Sequence, residues 1–255
     1  MRVSFIGSGN VATQLALACL RAHISIINIY SKNYAHAQTL ADHCQALAVQ
    51  QISDLQKDVD LIILAVNDDA LASLAEQLKD VPCPVVHTAG SVPMSILQAD
   101  VHPFGVLYPL QTISIHKELN IHQLPFFVEA SDPNLLQSLE QLVKQLGAHF
   151  HLANSEQRLY MHIAAVFACN FSNYMYNIAH QLTEQHQIPF ESLVPLILET
   201  AEKLKSMKPQ EAQTGPAKRN DQQTMLKHQQ ALANNPQFLE LYSLISEGIK
   251  KNQKS

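Results

Sequence analysis

Gly7, Gly9 and Ala12 stand in the opening stretch MRVSFIGSGNVATQLALACL as G-x-G-x-x-A, directly after an apolar run and at the start of a helix-forming one. The first glycine permits a tight turn, the second lets backbone approach a pyrophosphate, and the small Ala12 lets the helix pack against the strand. A helix N-terminus at this point turns its free N–H groups and its dipole toward phosphate. The spacing therefore predicts a dinucleotide site in which Gly7, Ser8, Gly9, Asn10 and Val11 touch the cofactor.

The next strand, SIINIY, decides which dinucleotide. NAD binders usually place Asp or Glu about 20 residues past the glycines, on the ribose 2′-hydroxyl. Here the strand runs into Ser31-Lys32-Asn33, and the first acidic residue of the chain is Asp42. A carboxylate would repel a 2′-phosphate, whereas a hydroxyl and a cation attract it. The expectation is NADP(H), with Ser31 and Lys32 on the extra phosphate. Later strand exits supply the nicotinamide side: Val66 and Asn67 after DLIIL, Thr88, Gly90 and Ser91 after PVVH, and the YPLQT segment from Tyr108. Asp68 and Asp69 read as helix N-terminal acids, and His87 as either a satisfied core histidine or a site residue.

A second set of chemical groups lies downstream. His162, Asn170 and Asn173 interrupt the apolar helical stretch MHIAAVFACNFSNYMY, with His162 and Asn170 about two turns apart on one face. Such a helix is expected to be largely buried, so these groups must be paired or face a cavity. They read either as internal caps or as the polar side of a reaction cleft. Thr214-Gly215-Pro216 forms a turn before a helix carrying Arg219, Asp221 and His228. It reads as a plain helix start with a surface ion pair, or as a loop over the substrate in which Arg219 holds a carboxylate beside His228.

The elements that must position these residues follow from the pattern. Strands at 2–7, SIINIY, DLIILAV, PVVHTAG, LPFFVEA and AHFHLA alternate with helices at 10–22, YAHAQTLADHC, DDALASLAEQL and DPNLLQSLEQLVKQLG, while VHPFGVLYPLQ reads as extended and broken by prolines. This predicts an α/β fold, a doubly wound and mainly parallel sheet over residues 1–152. From Ser155 the strand signals stop, and an all-helical domain is expected over 153–255. At 255 residues the chain is long enough for two modest cores.

A net charge of -5 with dispersed lysines excludes a nucleic-acid surface. No apolar stretch reaches the roughly 20 residues of a membrane span. Cys19, Cys44, Cys83 and Cys169 form no C-x-x-C pair and read as buried reduced thiols, which together with the absence of a leader suggests a cytoplasmic protein. The thirteen histidines are scattered, His149 and His151 have no third partner nearby, and no metal site is expected.

With FIGSGNVATQLA, YSK, LAV, HTAGS, YPLQT, AAVFACNFSNYMY and TGPAKRND followed by His228, the chain resembles the bacterial Rossmann-like family that carries domain of unknown function 2520. The resemblance implies an NADP oxidoreductase whose two-domain plan is similar to pyrroline-5-carboxylate reductase, ketopantoate reductase and the deazaflavin-dependent NADP reductases, with a helical second domain that makes dimer contacts and one wall of the active site. Related β-hydroxyacid dehydrogenases place Lys and Asn four residues apart on the corresponding helix, whereas position 166 here is Val166. His162 is the substitute proton donor, with Asn170, Arg219 and His228 completing the catalytic set. Two functions follow: an NADPH-dependent reductase of a small carbonyl or imine, carboxylate-bearing in its sharper form, or a non-catalytic NADP-binding sensor or scaffold. The apolar surface of the 155–185 helix predicts a homodimer.

Overall fold

The computed structural model describes residues 1–115, 117 and 119–252. It divides into two compact units, Met1–Asn170 and Phe171–Ser255. In the first, chain order is β1 (Arg2–Ile6), α1 (Asn10–Arg21), β2 (Ser25–Tyr30), α2 (Tyr34–Cys44), β3 (Leu47–Val49), β4 (Leu61–Leu64), α3 (Leu71–Leu78), β5 (Val85–His87), β6 (Phe104–Pro109), β7 (Pro125–Ala130), α4 (Pro133–Gln145), β8 (His149–Leu152) and α5 (Ser155–Ala165). The sheet order is β3-β2-β1-β4-β5-β6-β7-β8. Every pairing is parallel except β6 with β7.

Strand alternation feeds two apolar layers. Leu61 and Ile63 of β4 pack with Leu15 and Cys19 of α1, Leu40 of α2 and Leu139 of α4. Ile62 and Leu64 point the other way, toward Leu71, Leu74 and Leu78 of α3. Buried on both faces, β4 must be apolar throughout, which is why LIIL shows no alternation. Each such side chain contributes roughly 1.5–3 kcal/mol of transfer free energy. Helix boundaries follow local chemistry: the Asp132 side chain accepts from the Asn134 and Leu135 N–H groups at 2.8 and 3.1 Å, and α4 ends before Gly147 at φ +72°.

Three sequence readings are corrected. β3 is a strand of three residues that the pattern did not show. The proline-flanked VHPFGVLYPLQ contains a full six-residue strand, β6, which pairs with β5 and β7. Pro103 precedes it, and Pro109 ends it, so neither ring interrupts the ladder.

The second unit contains α6 (Ser172–Gln185), α7 (Val194–Glu202), α8 (Pro209–Ala212), α9 (Gln222–Ala231) and α10 (Pro236–Lys251). Asp221 caps α9 and Asn235 caps α10. Among its described residues only Ala217, Met225 and Phe238 are buried. An apolar cavity of about 280 Å³ lies among Met175, Leu182, Pro216, Phe238, Leu241 and Ile245. The third correction concerns the stretch read as one buried helix from 155. A π-helical turn, Val166–Phe171, interrupts it, and Tyr160, Phe167 and Tyr174 are exposed. Within one chain these residues have too few neighbours to cover them.

Candidate active site

Gly7 follows β1 at φ +122°, a conformation that favours glycine. Its N–H donates to the Tyr30 carbonyl at 2.7 Å, and a Cβ here would collide with the Ala65 carbonyl and crowd Val66. The turn is thus wedged between the ends of β2 and β4, at the point where strand order reverses. A Cβ on Gly9, by contrast, would meet nothing within 4 Å. Gly9 is the N-cap residue of α1 and makes no side-chain cap, and the first turn of α1 holds no acid. Open space beside uncapped helix N–H groups fits the pyrophosphate of a dinucleotide.

The Ser8 hydroxyl donates to the Ser31 hydroxyl at 2.8 Å, so the glycine turn and the tip of β2 share a hydrogen bond. Lys32 is exposed beside it and Asn33 caps α2. No carboxylate is hydrogen-bonded to this corner among the described residues. At the β4 exit, Val66 packs against the Gly7 turn and Asn67 is exposed. At the β5 exit, Ser91 donates to Asp68, which ties the two exits together; Asp68 is more than a helix-start acid. Thr88 departs from expectation: its N–H and its hydroxyl both bond the Leu64 carbonyl, at 3.1 and 3.3 Å. Its polar groups serve the sheet.

His87 is fully buried and its Nδ1 accepts from the Ala89 N–H at 3.1 Å. Burial, reinforced by the nearby Arg158 cation, pushes its pKa down to about 4, so it is a neutral core histidine. Arg158 itself is 1% exposed. Its Nη1 donates to Glu129 Oε2 at 2.6 Å, its Nε to the Ala89 carbonyl at 3.2 Å and its Nη2 to the Val92 carbonyl. Ser155 donates to the same Glu129 oxygen at 2.8 Å. One guanidinium therefore pins the loop after β5 to α5 and β7.

Beyond that loop lies a cavity of about 830 Å³. Leu110–Ser114 after β6 form one wall, and Met161, His162, Ala165, Val166, Cys169 and Asn170 form another. His162 and Asn170, picked from sequence as one helical face, do line one cavity. They do so across the π-helical turn, whose extra residue per turn changes the register between them. Asn173, in the second unit, is exposed and does not line this cavity. The wall after β6 is fastened to the dinucleotide turn. Asn10 Nδ2 donates to the Ile113 carbonyl at 3.2 Å, and Gln14 Nε2 to the Ser114 and Lys117 carbonyls at 2.9 and 3.1 Å.

In the second unit, Thr214, Gly215 and Pro216 line the apolar cavity, and neither Arg219 nor His228 does. Arg219 is exposed. Asp221 accepts from the Thr224 N–H and hydroxyl as a helix cap, and His228 Nδ1 lies 3.0 Å from Tyr242 Oη.

Of the four thiols, Cys19, Cys44 and Cys83 are buried as read, and burial pushes Cys19 up to about 12 and Cys44 up to about 11. Cys169 is a correction, being exposed on the π-helical turn. No cluster of metal-binding side chains occurs among the described residues. Two features escaped the sequence reading. Arg158 and Glu129 sit on different elements, although a lone Arg and a lone Glu in apolar segments each demand a partner. Tyr108, noted only as a strand exit, is buried at the cavity.

Residues 2–86 match the family described as NADP oxidoreductase coenzyme F420-dependent, and residues 124–249 match the domain of unknown function DUF2520. A solved structure from Bacteroides fragilis, described as "putative NADP oxidoreductase BF3122", is 37% identical, with 98% of each chain covered and a TM-score of 0.91. The chain belongs to this DUF2520 family of Rossmann-like proteins. Protein TM1727 from Thermotoga maritima shares the fold at 21% identity and a TM-score of 0.74, covering 99% of this chain and 100% of that one. So does 1-pyrroline-5-carboxylate reductase from Streptococcus pyogenes, at 14% identity and a TM-score of 0.67, with 98% of each chain covered. No curated protein matches in sequence. The sheet order of this chain from β3 through β6 is that of a doubly wound dinucleotide fold. No helix among the described residues is long and apolar enough to cross a membrane.

Proposed function

We propose that the chain reduces a small carbonyl or imine with NADPH. Its family makes it an oxidoreductase of the NADP-dependent class. The observation that carries the finer reading is the Asn10–Ile113 hydrogen bond: the helix that begins at the glycine turn holds the wall of the cavity lined by His162 and Asn170. Dinucleotide turn and cavity are built as one piece.

NADPH, when bound, supplies the hydride. Gly7 to Val11 hold the pyrophosphate, Ser31 and Lys32 the 2′-phosphate, and Val66, Asn67, Gly90 and Ser91 the nicotinamide side. The Thr88 hydroxyl, bonded to the sheet, has no part in this assignment. Asn170 orients the substrate heteroatom, His162 belongs to the path that supplies the proton, and Leu110, Met161 and Val166 form the apolar walls. The test is oxidation of NADPH against a panel of ketones, keto acids, cyclic imines and a deazaflavin. Turnover of at least one, lost in His162→Ala with NADPH affinity retained, supports the reductase. NADPH binding with no turnover across the panel favours the sensor or scaffold.

We also propose a homodimer built through the helical unit. Among its described residues three are buried, while Leu196, Leu198 and Leu244 are 59–68% exposed. A second copy of the chain is the occupant. A single-chain mass by light scattering at micromolar concentration would contradict it. The four free cysteines suit a reducing compartment such as the cytoplasm.

A further inference from the structure

Tyr108 ends on the same cavity as His162, and the two side chains touch. Tyr108 Oη lies 3.0 Å from His162 Nδ1, and the rings meet edge to face with centroids 6.0 Å apart. They close over Gly90, in the loop after β5. A Cβ on Gly90 would stand 2.8 Å from His162 Nδ1 and 2.8 Å from Tyr108 Cζ. Glycine is required here because the space of its side chain is filled by the pair. Three elements thus converge: the exit of β6 brings the phenol, α5 brings the imidazole, and the β5 loop brings a backbone with no side chain. Arg158 holds that loop from below through the Ala89 and Val92 carbonyls.

We infer that Tyr108 is the immediate proton donor to the substrate, with His162 behind it as the group that restores the proton. This rests on the reductase reading and names the acid within it. In the reduction of a carbonyl, the C=O π bond is lost as carbon gains the hydride from NADPH. The oxygen takes the proton of Tyr108 Oη–H. The phenolate left behind takes the Nδ1 proton of the His162 imidazolium, and the neutral imidazole that results takes a proton from solvent. One hydride and one proton enter the substrate, NADPH leaves as NADP⁺, and both side chains return to their starting states. The direction of each step follows from the groups. Burial raises the Tyr108 pKa, so the phenol is intact at neutral pH and its anion does not persist. The His162 imidazole, in contact with that hydroxyl, is the group placed to reload it. With its Nδ1 directed at Tyr108, His162 acts through that hydroxyl.

Two measurements test this. In Tyr108→Phe the ring and its packing stay and only the hydroxyl goes. With the substrate found by the panel, kcat should fall about a hundredfold or more, while KM changes less than about threefold and NADPH affinity is kept. The second readout needs neither cofactor nor turnover. In protein labelled with ¹⁵N-histidine, the Nδ1 resonance of His162, assigned through His162→Gln, should move toward that of a ring nitrogen with no hydrogen bond in Tyr108→Phe. A Tyr108→Phe enzyme retaining a third or more of wild-type kcat overturns the inference, and so does an unmoved Nδ1 resonance. If wild type reduces no member of the panel, the reductase reading fails instead, and the resonance still decides whether the pair exists.

Discussion

Replacing Glu129 by Gln leaves the Arg158 guanidinium buried without its counter-charge. The structure sets the size of the effect. Arg158 is 1% exposed and Glu129 is 17% exposed, so solvent does little to screen the pair. Breaking a buried pair by removing one partner costs roughly 3–5 kcal/mol. The carbonyls of Ala89 and Val92 continue to accept from Arg158, and a Gln oxygen can still accept from Nη1, which places the expectation near the low end, at about 3 kcal/mol. With an m-value of about 2 kcal/mol per molar urea, the unfolding midpoint of the sheet unit should fall by about 1.5 M. Far-UV circular dichroism reads this, since the chain has no tryptophan. Glu129→Leu with Arg158→Met, which removes both charges, should recover at least half the loss, because a buried pair is costly mainly when half of it remains. A midpoint in Glu129→Gln within 0.3 M of wild type (about 0.6 kcal/mol on the same slope), or a double variant less stable than the single, would refute the view that this cation is held by its charge partner.

Other outcomes follow from the same geometry. Gly7→Ala should abolish cofactor binding and cost several kcal/mol of stability, since φ +122° and the Ala65 carbonyl both exclude a Cβ; calorimetric titration and thermal melting check this. The folded pKa of His87 lies below its unfolded value of 6.5, so its contribution is present above pH 6.5 and fades as pH falls toward 4. Stability should drop by up to about 3 kcal/mol across that window, and His87→Asn, whose Oδ1 can accept from Ala89, should flatten the drop in urea midpoints measured at pH 7 and pH 5. In the native protein a thiol reagent should modify Cys169 alone, as mass spectrometry of peptides would show; labelling of Cys19 or Cys44 at a comparable rate would contradict their burial.

Much of the fold was legible because the β–α alternation, the Asp132 cap and the glycine turn are local signals. What escaped reading was non-local. β3 has three residues, too few to show a period, and is fixed by its pairing to Asn28–Tyr30. The π-helical turn carries no Gly or Pro to announce it, yet it sets where Cys169 and Asn170 face. Glu129 and Arg158 lie 29 residues apart, and the Tyr108–His162 contact spans 54, so neither leaves a trace in spacing. Thr88 was chosen for its hydroxyl, and only the register of β5 beside Leu64 shows that the sheet has already used it. The long helix is apolar in sequence, yet spacing alone does not show which of its apolar residues, such as Tyr160 and Phe167, stay exposed within one chain.

The central claim is that the corner formed by Ser8, Ser31 and Lys32 receives a 2′-phosphate. Calorimetric titration of the wild-type chain with NADPH and with NADH tests it directly. The account predicts that NADPH binds at least tenfold more tightly, and that Ser31→Asp removes or reverses the preference by placing a carboxylate against the phosphate. NADH binding as tightly as NADPH to the wild-type chain would contradict it.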